Sequence, residues 1–427
     1  MVTIREALEA NLTWDEVEGK HEGPAVPFVP GLVGSLTDWT VRTARTPNPG
    51  LSLSTGIATV MKFADRHVAG PTDSGTHLYL LMLATTGVGK QHAQEAIKAF
   101  LTVAGLSELI GPGDLASVQA LQRLITKKPS VLCILDEFGL FLKRILADKS
   151  PHTQGIVRET NQLYGISFGR YDGCATAHDD AAIVNAPALG LAGYGTPEQY
   201  YSSLQDSYLG NGYLNRWTNM LASLRTVVQR TSAHLLDMPA ELIKEIKAVV
   251  AFASAGGSFD QSFGELRPKR RLEWGSLGAG DMYWDLVRAM EQGDEEAQEL
   301  QVRVAEMAVR LATIRAVGQC AKVVNLDDME WGRMLALESL ATLRDGLERW
   351  HRPNLDFPAL CRKIAEKVEK EGWVKVRDIK RSFGQNVQRK QYIKDAIEQL
   401  KEEERVEVEW RTPANGGRSS EGLRWLG

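Results

Sequence analysis

The segment Leu78–Gln91 reads LYLLMLATTGVGKQ: an apolar run, a turn with two spaced glycines, and a lysine placed just where helical spacing begins. Such a run predicts an interior strand, and the turn after it needs backbone that glycine adopts without a Cβ penalty. The backbone N–H groups of Gly87, Val88 and Gly89 would converge on one point, and Lys90 would bring a positive charge to it. A helix expected over roughly 92–101 adds the positive end of its dipole at the same place. The ligand this chemistry suits is a polyphosphate, which points to a nucleotide.

The pattern departs in two places from the usual G-x-x-x-x-G-K-[ST] form of phosphate-binding loops. Ala84 stands where a glycine opens the loop, which is harmless if that residue has ordinary strand or turn angles. Gln91 stands where a Ser or Thr hydroxyl usually ligates Mg2+. A metal here would be held through the Gln91 amide oxygen, through water, or by a carboxylate from elsewhere. The stretch VLCILDE at 131–137 offers one. Its five apolar residues predict a fully buried parallel strand, and Asp136 and Glu137 emerge at its carboxyl end, where open α/β sheets place ligands. Asp136 would bind Mg2+, directly or through water, and Glu137 would polarise an attacking water.

With 427 residues and 43% hydrophobic content, the chain can bury one large core and one or two smaller ones. A formal net charge of −4 gives no global signature of nucleic-acid binding, so any basic surface has to be local. Cys133, Cys174, Cys320 and Cys361 form no CxxC pair and have no His at ligand spacing, as expected of buried thiols in a reducing compartment. No stretch approaches the roughly 18 apolar residues of a membrane helix, and the N-terminus lacks a signal-peptide core. The expectation is a soluble, cytoplasmic protein with no membrane partner.

Four regions follow from the patterning. A short amphipathic helix and a Pro/Gly linker occupy 1–34. The region 35–236 carries the loop and the acidic strand. It continues through two helices over 141–146 and 153–164, a hairpin or loop excursion at Gly165–Cys174, a buried strand at 188–193 and a further strand at 217–221. Residues 237–353 read as mainly helical, broken by a polar loop at 255–278, with an apolar face on a long helix over 299–316; this region is expected to act as a lid behind the nucleotide. In 354–427, three helical segments at 359–371, 374–383 and 389–404 precede two short strands, which is the order of a winged helix. This tail has 16 Lys and Arg against 13 Asp and Glu. Arg389, Lys390 and Lys394 fall near the start of its third helix and Arg411 and Arg418 flank its wing, positions suited to duplex DNA. Five glutamates nearby, 402–404, 407 and 409, keep open a wing that contacts protein instead.

The stretch 27–64, LYLLMLATTGVGKQHA (78–93), VLCILDEFG (131–139), APALGLAGYGTPEQYYSSL (186–204) and GNGYLNRW (210–217) together resemble the RecA-like P-loop ATPases of phages and prophages, helicase-like proteins often encoded near primases. The resemblance covers roughly 27–350. It implies an α/β fold with a mainly parallel RecA-like sheet, to which the helical lid and the winged helix would be added. It also implies ATP and Mg2+ as cofactors. Gly87, Val88, Gly89, Lys90 and Gln91 would hold the phosphates, Asp136 the metal, and Glu137 would be the base. By the same resemblance Thr196 would sense the γ-phosphate, Arg216 would be an arginine finger given to a neighbouring subunit, and Arg310 is a further nucleotide contact.

The function expected from these residues is an ATP-dependent DNA motor, a helicase-like replication protein working as a homo-oligomer, most simply a hexameric ring. Arg170 and Tyr171 in the glycine-rich excursion would grip single-stranded DNA by phosphate contact and stacking. A primase or other replication protein would be its partner. Two alternatives stand beside it: a hydrolysis-poor helicase loader or adaptor, and a non-enzymatic DNA-binding scaffold.

Overall fold

Residues 29–147, 151–173, 183–204, 212–222, 228, 231, 233–255, 270–292, 295–347, 357–383, 387–403, 405–411 and 419–426 are described by the structure, a computed structural model. The helix expected near the N-terminus lies outside these residues. The chain divides into two compact units, one reaching to Gly346 and the other beginning at Leu347.

In the first unit α1 (Leu32–Thr43) and α2 (Pro49–Ala64) precede β1 (Val68–Ala69) and β2 (Tyr79–Leu83). Then come α3 (Lys90–Val103), α4 (Val118–Lys127), β3 (Ser130–Leu135), α5 (Phe138–Ala147) and α6 (Pro151–Gly165). A hairpin of β4 (Arg170–Asp172) and β5 (Ile183–Asn185) leads to β6 (Ala188–Gly195), α7 (Pro197–Ser203) and β7 (Trp217–Leu221). Four of these strands form one parallel sheet in the order β3-β6-β2-β7. A single parallel bridge from Ile110 to Leu132 extends it beyond β3. The strands β2, β3 and β6 are buried almost throughout, as their unbroken apolar runs require of strands covered on both faces.

Helices cover the sheet on both sides. Gly190 of β6 faces Met61 and Lys62 of α2, while Gly193, three residues on and so on the opposite face, meets the ring of Phe138 at the start of α5. A Cβ at Gly193 would lie 2.8 Å from that ring, so the glycine sets how closely α5 approaches. A new helix starts at Pro49: Asn48 caps α2 by accepting from Leu51 N at 3.2 Å, and Pro49 takes the first helical position. Because α2 is buried on nearly every side, its Lys62 needs internal partners; it donates to Asp65 at 2.5 Å and to the Ala188 carbonyl at 3.3 Å.

The remaining helices of this unit are α8 (Ala240–Ser254), α9 (Leu277–Met290), α10 (Glu295–Gln301), α11 (Val304–Gly318) and α12 (Leu326–Gly346). Three short strands accompany them: β8 (Arg270–Arg271), β9 (Glu273–Trp274) and β10 (Val323–Val324). The long helix expected over 299–316 is interrupted at Val302 and Arg303, leaving Val302 61% exposed, and α11 is buried on nearly all sides instead of along one stripe. Within the stretch expected as a polar loop, β8 pairs with β1 and β9 with β10.

The second unit comprises α13 (Phe357–Glu371), β11 (Trp373–Lys375), α14 (Val376–Phe383), α15 (Val387–Glu402), β12 (Val406–Arg411) and β13 (Ser420–Trp425). Its antiparallel sheet has the order β11-β13-β12 and closes over a core that includes Ile364, Val368, Ile379, Ile393, Leu400 and Leu423. The helix expected from Val374 begins at Val376, because Trp373–Lys375 pairs with β13. No helix among the described residues is long and apolar enough to cross a membrane.

Candidate functional site

The carboxyl edge of the parallel sheet gathers the acidic and glycine motifs. After Leu83 the chain turns through Gly87 (φ 86°) and Gly89 (φ 92°) and enters α3 at Lys90. Both glycines sit in left-handed backbone, and at Gly89 a Cβ would also lie 2.8 Å from the Thr46 carbonyl oxygen. This cradle fits a phosphate group: left-handed backbone turns N–H groups inward, and the first turn of α3 has amides without helical partners. Lys90 Nζ reaches back over the loop to donate to the Ala84 carbonyl at 3.2 Å, so its charge already stands above the turn. Ala84 continues the sheet, donating to the Gly195 carbonyl at 2.9 Å, and the absence of an opening glycine costs nothing there. Gln91 is exposed on the first turn of α3.

The strand β6 separates β2 from β3, and adjacent strands lie about 4.8 Å apart, so Asp136 and Glu137 stand about 10 Å from the loop across the edge. Both carboxylates are exposed. Glu137 has φ 48°, a left-handed conformation that costs a residue with a Cβ about 1–2 kcal/mol. Its carbonyl accepts from Leu140 N at 2.8 Å and begins α5. Thr196, which ends the intervening β6, caps α7 through its hydroxyl and Gln199 N. It therefore lies between the loop and the acidic pair.

A residue not singled out by the sequence completes this arrangement. Gln94 is 8% exposed and its Nε2 donates to Asp136 Oδ1 at 3.1 Å; the Glu137 amide donates to the same oxygen at 3.0 Å. Its spacing, four residues from Lys90, puts it on the same helix face, but spacing alone does not say which carboxylate it meets. Among the described residues no three His, Cys, Asp or Glu side chains are grouped to hold a metal. A Mg2+ bound at Asp136 would complete its shell with water and phosphate oxygens, the way this ion is ordinarily held.

Two arginines lie elsewhere. Trp217 is in register with Tyr79, so Arg216 stands at the amino edge of the sheet, a strand length of about 17 Å from the chain's own loop. It is half-buried and donates to the Gly212 carbonyl, and burial, with Arg303 nearby, lowers its pKa. Arg310 is fully buried at that same edge. It donates to the carbonyls of His77 at 2.5 Å and Tyr164 at 3.0 Å and pairs with Glu306 at 2.6 Å. The expectation of a nucleotide contact from Arg310 is thus corrected: its guanidinium is consumed by the core.

The excursion is a β-hairpin arm through β4, and Cys174 lies outside the described residues. Arg170 is exposed and pairs with Asp172 at 2.6 Å. Tyr171 is wholly buried, its hydroxyl donating to the Glu159 carboxylate, so its ring has no free face on which a base could stack. This corrects the expected stacking role; alternation along the strand turns Arg170 out and Tyr171 in.

In the second unit Lys394 is exposed on α15. Arg411 makes two hydrogen bonds of 3.0 Å to Glu409 and stacks over Trp373 at 5.0 Å. The side chains of Arg389 and Lys390, and the whole of Arg418, lie outside the described residues.

No protein-family model matches the chain, and no curated protein matches it.

Proposed function

We propose that the chain is a P-loop ATPase that couples ATP hydrolysis to movement on DNA, a helicase-like replication protein of a phage or mobile element. The observation that carries this reading is the shared edge: a left-handed glycine cradle with Lys90, Thr196 on the next strand, and Asp136 with Glu137 on the one after. Gly87, Val88, Gly89 and Lys90 bind the phosphates, with Gln91 at the mouth. Asp136 would hold Mg2+, whose charge would offset that of the phosphates. Glu137 orients and deprotonates the water, and Thr196 contacts the γ-phosphate. The strand order and the flanking helices support a RecA-like core, and the three helices with their small antiparallel sheet support a winged helix.

In this reading Arg216 acts on a neighbouring copy. About 17 Å of strand separates it from the chain's own loop, so any γ-phosphate it contacts belongs to another copy, in a homo-oligomeric ring, most simply a hexamer. Arg170 contacts single-stranded DNA, the second unit contacts duplex DNA, and a primase or other replication protein is the partner.

A hydrolysis-poor loader or adaptor is the second reading. It is favoured by Gln91, which brings no hydroxyl to the metal. Steady-state ATP turnover with and without single-stranded DNA decides between them. Stimulated turnover supports the motor, tight ATP binding without turnover supports the loader, and neither binding nor turnover leaves only a DNA-binding scaffold.

A further inference from the structure

Beside the phosphate cradle, an open groove of about 610 Å3 runs between the end of α1, the first turn of α3 and the segment around 233–235. Its walls include Thr43, Arg45, His92, His234 and Leu235. The groove and the cradle share their supports. Thr46, the residue after Arg45, backs Gly89, and His92 is two residues past Lys90. A small crevice behind Gly89 is lined by Thr46 and His92 among others.

The walls are fixed in place. Trp39 Nε1 donates to the Leu235 carbonyl at 3.0 Å, and Thr231 Oγ1 donates to the Arg42 carbonyl at 2.7 Å, tying this segment to α1. His92 Nε2 lies 3.1 Å from Thr43 Oγ1 and 3.2 Å from the Thr40 carbonyl, so it carries the ring proton and donates to that carbonyl. Burial lowers the His92 pKa, which keeps the ring neutral near pH 7. Arg45 and His234, in contrast, are exposed and make no side-chain hydrogen bond or ion pair among the described residues. A guanidinium and an imidazole are both planar groups on which an aromatic base stacks. Leu235 adds apolar surface, and the volume is in the range of small-molecule sites.

We propose that this groove takes the aromatic base of the nucleoside triphosphate whose phosphates lie on Gly87–Lys90, with Arg45 and His234 as its stacking partners. The inference rests on the phosphate-loop reading and adds where the rest of the nucleotide goes. A ligand spanning cradle and groove would pass its sugar over the first turn of α3, beside His92.

The test uses calorimetric titration of the full chain with two probes in the presence of Mg2+: ATP, and inorganic tripolyphosphate, which has the phosphates and no base. Arg45→Ala and His234→Ala are each expected to weaken ATP binding fivefold or more while leaving tripolyphosphate affinity within twofold. Arg45→Lys keeps the charge and loses the plane, and is expected to lose ATP affinity in the same way. Unchanged ATP binding in these variants overturns the groove as the base site. So does an equal loss of ATP and tripolyphosphate, which would put Arg45 on the phosphates. If the unaltered protein binds neither probe, the phosphate-loop reading itself fails, and the groove proposal falls with it.

Discussion

Gln94 Nε2 donates to Asp136 Oδ1 at 3.1 Å, joining the second turn of α3 to the end of β3. The bond ties the helix that starts at the phosphate cradle to the carboxylate proposed to hold the metal. With Oδ1 occupied by Gln94 and by the Glu137 amide, the orientation of the carboxylate is fixed and Oδ2 is left for a ligand. A hydrogen bond to a charged group contributes about 1.5–3 kcal/mol. Gln94→Leu is therefore expected to raise the Mg2+ concentration for half-maximal ATP binding roughly tenfold. Titration of Mg2+ at fixed ATP measures it; an unchanged midpoint would mean that Gln94 does not position the metal ligand.

In the proposed mechanism Lys90 and Glu137 divide the work in a way that two substitutions separate. Lys90→Ala deletes a charge facing a polyphosphate and should weaken ATP binding by more than roughly tenfold. Glu137→Gln keeps shape and left-handed backbone but removes the base, so ATP binding should persist while turnover is lost. Equilibrium binding and single-turnover hydrolysis on both variants check this. Turnover at the unaltered rate in Glu137→Gln would remove Glu137 from the mechanism.

The reach of the sequence into this structure can be judged residue by residue. The glycine turn and the acidic strand end were legible because each is a local pattern: an apolar run ending in glycines or in Asp-Glu. Gln94 was not, since nothing in its neighbours says which carboxylate it will meet 42 residues later. The burial of Tyr171 was hidden for the same reason. Its partner Glu159 lies on a different element, and a glycine-rich stretch gives no strong alternation to set the inward face. Val374 and Lys375 were absorbed into a helix because the three residues of β11 are too few to show a period of 2, and only pairing with β13 makes them a strand. The distance between Arg216 and the loop follows from parallel register, which no single segment encodes.

His77 supplies a pH dependence that can be read without knowing the ligand. The ring is buried and donates through Nε2 to the Tyr164 carbonyl at 3.0 Å, and burial, followed by the nearby Arg310, lowers its pKa well below the ordinary value. In the unfolded chain a histidine takes up a proton near pH 6.5. Below that pH the unfolded state binds one more proton than the folded state, so stability falls as the pH drops, by up to about 1.4 kcal/mol per unit. The loss ends only at the depressed pKa of the folded state. Urea unfolding at pH 7 and pH 5.5 should show a smaller difference in His77→Gln than in the unaltered protein; equal differences would show that His77 does not carry this dependence.

Two DNA contacts are proposed, and their residues are separable. Truncation after Gly346 removes the second compact unit and leaves the whole nucleotide edge, so ATP turnover should survive while duplex affinity falls. Each lost phosphate contact lowers the salt slope by about 0.9, and Lys394→Ala should remove one such step. Arg411 is held by Glu409 and Trp373, so it should contribute little as it stands, and Glu409→Gln should free it and steepen the slope. On the first unit, Arg170→Ala should spare duplex binding and reduce stimulation of ATP turnover by single strands. Tyr171→Phe should instead lower stability by about 1–3 kcal/mol, because it strips a donor from the buried Glu159 carboxylate, and should leave DNA binding alone. Filter binding to labelled duplex over a range of salt, ATP turnover with and without single-stranded DNA, and chemical unfolding of the Tyr171 variant together test all five changes. If duplex affinity and its salt slope are the same with and without residues 347–427, the second unit meets a protein rather than DNA, and the loader or adaptor reading replaces the motor.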